Sequence, residues 1–237
     1  SEQLYSIKND FRYGYYEVRC KMPLFLRSFP AFWLLTPNNG LPAYEIDALE
    51  YLNEKLDSYS TNYFDWWQLD PPGNTNDDKY NRPMWISASN IRTGFHTYGI
   101  DWSPDHLYFY YDNILVRFVK DSHISDQEMF LILNLAIRGY NISNPDVGNP
   151  SCSTGCDPFE VDYVRTYEHD CSANGTSITQ SNFFASPTYG VHKSYTISNS
   201  TVPSGAHVVL RATDFVTLQN NFIVPAGSEF YVVMTQC

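Results

Sequence analysis

Tyr44-Glu-Ile-Asp-Ala-Leu-Glu-Tyr51 is the stretch whose spacing decides how this 237-residue chain is read. Its acidic and apolar residues alternate at first, as on a half-buried β-strand. Glu45 and Asp47 are two apart and so share a face. Glu50 is five residues from Glu45, an odd spacing that a regular strand would send to the other side. One extra residue at Ala48-Leu49, a β-bulge, restores the phase. Three carboxylates then line one face, while Ile46 and one bulge residue turn to the other. Acidic side chains crowded on one face weaken a sheet unless they serve a purpose. Polar strand faces are nonetheless ordinary in antiparallel sheets, so the pattern taken alone also fits a solvent-facing acidic strand.

Paired carboxylates have a defined chemical use. Cleaving a glycosidic bond with retention needs two carboxyl groups about 5–5.5 Å apart, one to attack the anomeric carbon and one to protonate the leaving oxygen. The backbones of Glu45 and Glu50 stand further apart than that, so their long side chains would have to converge. Asp47, between them, would hydrogen-bond the nucleophile, and its charge would help keep the acid protonated.

Outward from that strand the chain is aromatic and acidic. Aromatic residues make up 16%, with 19 Tyr, 15 Phe and 5 Trp, a composition that suits the pleated surfaces of an all-β fold. Such rings also stack on sugars, although core packing is their commoner use. Against 26 Asp and Glu stand 15 Lys and Arg, a net charge of −11. With no basic run, nucleic acid and anionic membrane surfaces are poor partners, and no nucleic acid is expected. No apolar stretch approaches the roughly 18–20 residues needed to cross a bilayer, so no membrane insertion is expected. Cysteines stand at Cys20, Cys152, Cys156, Cys171 and Cys237. Cys152 and Cys156 fit either a short disulfide loop or two free thiols, and the odd count leaves at least one thiol unpaired within the chain. No second pair stands at a zinc spacing, so no metal site is expected.

Extended segments read at 13–22, 45–52, 107–119, 129–137 and 159–167, separated by turn clusters such as 36–40 and 70–74. The stretches 68–82 and 138–157 lack strand signals and read as binding loops. No helical period is sustained anywhere. Beyond Glu168 the composition shifts to Ser, Thr and Asn, followed by short strands at 207–212, 215–224 (broken at Asn220-Asn221) and 229–234. A catalytic-sized domain at 1–168 and a small β module at 172–237 are expected, the second with so small a core that it should rest on the first.

Six blocks occur in the order found in glycoside hydrolase family 16. They are Tyr13-Gly-Tyr-Tyr-Glu-Val-Arg-Cys-Lys-Met-Pro23, Phe29-Pro-Ala-Phe-Trp-Leu-Leu35, Glu45-Ile-Asp-Ala-Leu-Glu50, Phe95-His-Thr-Tyr-Gly-Ile-Asp-Trp102, Leu107-Tyr-Phe-Tyr-Tyr-Asp112 and Phe159-Glu-Val-Asp-Tyr-Val-Arg165. The resemblance covers about residues 1–168 and implies a jelly-roll, concanavalin-like sandwich of two antiparallel sheets with a substrate cleft on one of them. It implies Glu45 as nucleophile, Asp47 as its assistant and Glu50 as general acid/base. Trp33 would floor the bond-breaking subsite, with Arg19, His96 and Asn134 as polar lining. The bulged Glu-x-Asp-x-x-Glu spacing is similar to that of laminarinases and agarases. The activity implied is retaining, endo-acting hydrolysis of a β-linked polysaccharide, either a β-1,3-glucan or a β-galactan. A non-catalytic carbohydrate-binding sandwich and a transglycosylase are the alternatives.

The chain also departs from that pattern. Tyr44 stands where the family often has Gly, which would narrow or re-aim the cleft mouth. Leu41-Pro42 replaces the Trp-Pro frequent in β-1,3-glucanases, which removes a stacking platform. Family members have further strands before the one near Tyr13, so amino-terminal strands are expected to be missing. A calcium site that some relatives build with the counterpart of Asp162 would then be incomplete, and no cofactor is required. The segment 212–230 resembles carboxy-terminal modules of exported Bacteroidetes proteins, which implies a bacterial protein at the cell surface, in the periplasm or secreted. A monomer is expected.

Overall fold

The computed structural model describes residues 2–5, 11–25, 27–37, 43–66, 83–120, 123–137, 157–169, 177–181 and 191–234. The chain divides into two compact units, 1–12 with 16–166 and 13–15 with 167–237. Every regular element among the described residues is a β-strand.

The larger unit is a sandwich of two sheets. One has six strands in the order β1 (Glu2–Tyr5), β10 (Phe130–Ile137), β3 (Ser28–Leu35), β4 (Tyr44–Glu50), β5 (Ser58–Asp65) and β6 (Met84–Ser87), antiparallel throughout. The other has five, in the order β11 (Glu160–Tyr167), β2 (Gly14–Lys21), β7 (His96–Ser103), β8 (His106–Tyr111) and β9 (Ile114–Lys120). Alternation decides which side chains meet between them. Phe32, Leu34, Ile46 and Leu49 face inward from the first sheet, and Val18, Cys20, Ile100, Trp102 and Phe109 from the second, all fully buried. Each large side chain buried in this way contributes about 1.5–3 kcal/mol. The rings of Tyr59 on β5 and Tyr98 on β7 meet edge to face at 5.2 Å across the interface. Arg117, buried on β9, also crosses the sandwich to donate from Nη1 to the Thr61 carbonyl at 2.7 Å and its hydroxyl at 3.0 Å.

The segment 107–119 is two strands rather than one. Asp112 and Asn113 take positive φ of 48° and 66°, the pairing that a two-residue hairpin turn requires. The register then runs from Tyr111 opposite Ile114 down to His106 opposite Lys120. Strands β1, β3, β5, β6 and β7 stand beside those read from composition, and β1, paired with β10, is a strand ahead of the one near Tyr13. Cys20 is buried and unpaired, and desolvation holds its thiol far above the usual pKa. Cys152, Cys156, Cys171 and Cys237, the loop 68–82 and residues 138–156 lie outside the described residues, as does Leu41-Pro42.

The smaller unit is a parallel sheet of β12 (Ser177–Ser181), β13 (Val191–Ser198), β14 (His207–Leu218) and β15 (Glu229–Met234). The separate strands expected at 207–212 and 215–224 are one strand to Leu218, because Thr213 and Asp214 continue it. Successive strands are joined by matching turns. Ala206 N–H bonds Pro203 O and Ser228 N–H bonds Pro225 O, each at 3.0 Å, with Gly205 and Gly227 at the corresponding positive-φ positions. The result is a stack of coils around Tyr195, Ile197, Leu210 and Ala212. Parallel pairing was hidden because alternation marks a strand without marking its partner's direction.

Candidate active site

The carboxylates lie on β4, near the middle of the six-stranded sheet. Against β3, Ala31 pairs with Glu50, Phe32 with Leu49, and Trp33 with Asp47, so Ala48 is the extra residue. Against β5, Glu45 opposes Phe64, Asp47 opposes Asn62 and Glu50 opposes Ser60, with the shift again between Asp47 and Glu50. The odd spacing is therefore absorbed at Ala48, and all three acidic residues face outward while Ile46 and Leu49 fill the core. Both ends of β4 are tied down. Thr36 and Tyr44 exchange bonds at its start, with Tyr44 N–H on Thr36 Oγ1 at 2.9 Å and Thr36 N–H on Tyr44 O at 3.1 Å. At its end, Tyr51 N–H bonds Pro30 O at 3.1 Å and Asn53 Nδ2 bonds Phe25 O at 2.8 Å.

The two glutamates meet different partners. Glu45 Oε2 accepts the indole N–H of Trp66 at 3.1 Å. Trp66 is held by its own backbone N–H on Ala43 O at 2.9 Å, and its ring stacks on Phe64 at 4.6 Å and 8°. Asp47 lies two residues along β4 on the same outward face. Burial pushes Glu45 up to about 7, against the lowering effect of the indole, with Glu50's charge adding to the rise and Asp47 opposing it. Asp47 is 1% exposed, and burial first, then the charges of Glu45 and Glu50, hold it well above the usual carboxylate range. The charge of Arg117 acts on Asp47 in the opposite sense. Glu50 is raised by burial, and Ser60 Oγ donates to its Oε2 at 3.1 Å, which lowers it in part.

Trp33 and Asn134 are also on this face. Trp33 stands opposite Asp47, and its indole N–H donates to Asn134 Oδ1 at 2.7 Å across the β3–β10 ladder. Arg19 and His96 are not brought to the carboxylates. Both belong to the five-stranded sheet, where Arg19 pairs with Asp162 at 2.6 Å and lies over Phe95. His96 is 6% exposed, with Nδ1 on Asp112 Oδ2 at 2.7 Å and Nε2 on Asn90 O at 2.9 Å. Tyr44 does not narrow the carboxylate face either. It alternates with Glu45, and its ring stacks on Tyr63 on the inner side at 6.4 Å and 14°. Asp162 is engaged by Arg19, and among the described residues there is no cluster of three His, Cys, Asp or Glu that could hold a metal ion. Trp66, Ser60 and Asn62 complete the site and were not read from the sequence. Their signal was the β-rich run after the 53–57 turn, which marks a hairpin partner for the acidic strand.

This sandwich with acidic residues on one sheet face is the architecture of a carbohydrate-active protein. The profile of Glycosyl hydrolases family 16 matches residues 1–143, and the chain belongs to that family. It is 30% identical over 178 residues to the glucan endo-1,3-beta-glucosidase of Cryptopygus antarcticus, covering 68% of this chain and 64% of that one. It is 30% identical over 183 residues to the keratan-sulfate endo-1,4-beta-galactosidase of Sphingobacterium multivorum, covering 71% of this chain and 40% of that one. Among solved structures, the laminarinase of Flavobacterium sp. UMI-01 superposes with a TM-score of 0.54 at 32% identity, covering 70% of this chain and 72% of that one. The chain thus spans less than two thirds of the length of both curated relatives.

Proposed function

We propose that this protein is an endo-acting retaining glycoside hydrolase that cleaves a β-linked polysaccharide, a β-1,3-glucan or a β-galactan, with Glu45 as nucleophile and Glu50 as general acid/base. The observation that carries the reading is the unequal bonding of two glutamates on one face. Glu45 receives an indole N–H, which favours its carboxylate form against the burial that raises it, whereas Glu50 receives a single hydroxyl. A nucleophile must be ionised, and an acid must hold a proton at the working pH.

In the first step Glu45 attacks the anomeric carbon as Glu50 gives its proton to the departing oxygen. A glycosyl-enzyme ester forms and the glycosidic bond breaks. As negative charge leaves Glu45, the donors on it relax. Glu50, now a carboxylate, then takes a proton from water that attacks the anomeric carbon from the face the leaving group vacated, which breaks the ester and frees Glu45 as a carboxylate. Asp47 keeps Glu45 oriented throughout. Relatives named for β-1,3-glucan and for a β-galactoside support the two substrate classes. A polymer too large to enter a cell also favours an exported enzyme.

The test is release of reducing ends from laminarin, lichenan, agarose, porphyran and carrageenan, with the anomer first formed read by proton NMR. A β-anomer from one of these polymers is expected. Binding to a polymer with no reducing ends released would make the chain a carbohydrate-binding sandwich. A first-formed α-anomer would end the retaining mechanism.

A further inference from the structure

A polymer lying across the strands of the six-stranded sheet meets aromatic side chains on both flanks of β4. On one flank is Trp33 of β3, opposite Asp47. On the other is Trp85 of β6, in register with Ser60, which is in register with Glu50. Directly opposed residues of an antiparallel pair share a face, and Ser60 points its hydroxyl at Glu50. Trp85 therefore shares the carboxylate face, two strand spacings or about 10 Å from Glu50. Its neighbour Ile86 confirms the alternation, since it is 5% exposed in the core while Trp85 is 44% exposed.

The ring at that position is nearly half open to water. Its electron-rich face attracts positively polarised groups, and Lys55 Nζ lies over it at 5.3 Å from the centroid. Lys55 sits in the turn between β4 and β5 with its backbone fixed on both sides, Lys55 N–H on Leu52 O at 2.7 Å and Ser58 N–H on Lys55 O at 3.3 Å. The C–H face of a pyranose carries the same partial positive charge that draws the ammonium to the indole. A sugar ring stacked there would leave the Lys55 ammonium beside its hydroxyls as a donor.

We propose that Trp85 and Lys55 form a distal sugar-binding subsite on the flank opposite Trp33, with Trp85 stacking a pyranose ring of the polymer and Lys55 donating to its hydroxyls. Its part in turnover rests on the hydrolase reading above, while its part in binding does not. Stacking so far from the bond that breaks holds ground state and transition state alike, so its loss raises KM and leaves kcat in place.

The experiment uses the full chain carrying Glu45→Gln, titrated calorimetrically with β-1,3-gluco-oligosaccharides and β-1,4-galacto-oligosaccharides of increasing length. Adding Trp85→Ala should weaken binding of the longest oligosaccharides about tenfold and leave the disaccharide unchanged, because a disaccharide across β4 does not reach β6. Trp85→Phe should recover most of the loss, and Lys55→Met should lose a smaller share. Unchanged affinity of the long oligosaccharides in Trp85→Ala overturns the subsite, as does equal weakening for the disaccharide, or no binding of any oligosaccharide to the parent protein. Trp85-dependent binding in the Glu45→Gln chain, with no turnover of any polymer by the chain that keeps Glu45, would count against the hydrolase reading alone. Turnover whose KM ignores Trp85 would count against the subsite alone.

Discussion

Trp66 reaches Glu45 from just beyond the end of β5, its indole N–H donating to Oε2 at 3.1 Å while its ring is stacked on Phe64. A neutral donor aimed at a buried carboxylate favours the charged form. Burial alone drives Glu45 the other way, and the indole is the foremost opposing effect. The contact therefore sets the pH at which the proposed nucleophile becomes available.

Trp66→Phe removes the N–H and keeps an aromatic ring against Phe64. With the lowering effect gone, Glu45 should titrate higher still. A hydrogen bond to a charged group is worth about 1.5–3 kcal/mol, or about one to two pH units. The acidic limb of the kcat/KM profile, which reports the free enzyme, should move up by about one unit while the rate on the alkaline side of that limb changes little. An unmoved limb with a uniformly lower rate would make Trp66 a sugar platform without influence on Glu45.

Stability should also follow this group. Glu45 titrates near 7 in the fold against a usual 4.5, so the native state holds a proton that the unfolded chain has released across that window. Stability is then highest below about 4.5, falls as pH rises toward 7, and stays at the lower value above it. Asp47, raised in the same direction, extends the fall. Glu45→Gln should flatten the decline and raise stability at pH 8 by about 1–3 kcal/mol, and Asp47→Asn should act in the same direction, while both remove or cripple turnover. Urea midpoints at pH 5 and pH 8 would show it, and a parallel slope in wild type and both variants would contradict it.

The two glutamates should fail in different ways. Glu45→Ala leaves no group to form the ester, so turnover should fall at least about a thousandfold. Glu50→Ala should still form the intermediate from an activated aryl glycoside, whose leaving group needs no proton. Azide can then attack that intermediate and give a product of retained configuration, whereas azide rescue of Glu45→Ala gives the inverted one. Swapped products would reverse the two roles, and equal residual activity would leave neither residue catalytic.

What could be read from the sequence was set by parity and local spacing. The five-residue step from Glu45 to Glu50 required one extra residue, and Ala48 is where the ladder on both sides slips. Trp66 was invisible by that route because its contact with Glu45 depends on the β4–β5 register, a relation between strands that alternation within one strand does not contain. The same limit explains Arg19 and His96. Arg19 lies on a well-marked strand and His96 opens β7, but membership of the other sheet directs Arg19 to Asp162 and His96 to Asp112 and Asn90. Tyr44 differs, since its adjacency to Glu45 already implied the opposite face. The parallel coils of the smaller unit rest on strand direction, and only their matched turns, at Asn199 and Asn221 and at Gly205 and Gly227, hinted at a repeat.

Those matched asparagines supply the last prediction. Asn199 and Asn221 hold positive φ of 45° and 59°, a region that most side chains avoid and Asn tolerates. Stacking one coil on the next places Asn221 Nδ2 on Asn199 Oδ1 at 2.9 Å. Asn221→Ala loses the bond and strains the backbone, about 1 kcal/mol for each and so about 2 kcal/mol together. Asn221→Gly loses the bond but relieves the strain, and should cost about half as much. Because the chain has two compact units, a single melting curve would mix their transitions. Hydrogen exchange at the β14–β15 amides reads the smaller unit directly. Protection there should fall in the order wild type, Asn221→Gly, Asn221→Ala, with the β3–β4 amides of the sandwich unaffected. If Gly and Ala prove equal, the strain carries nothing and the side-chain ladder alone holds the coils in register.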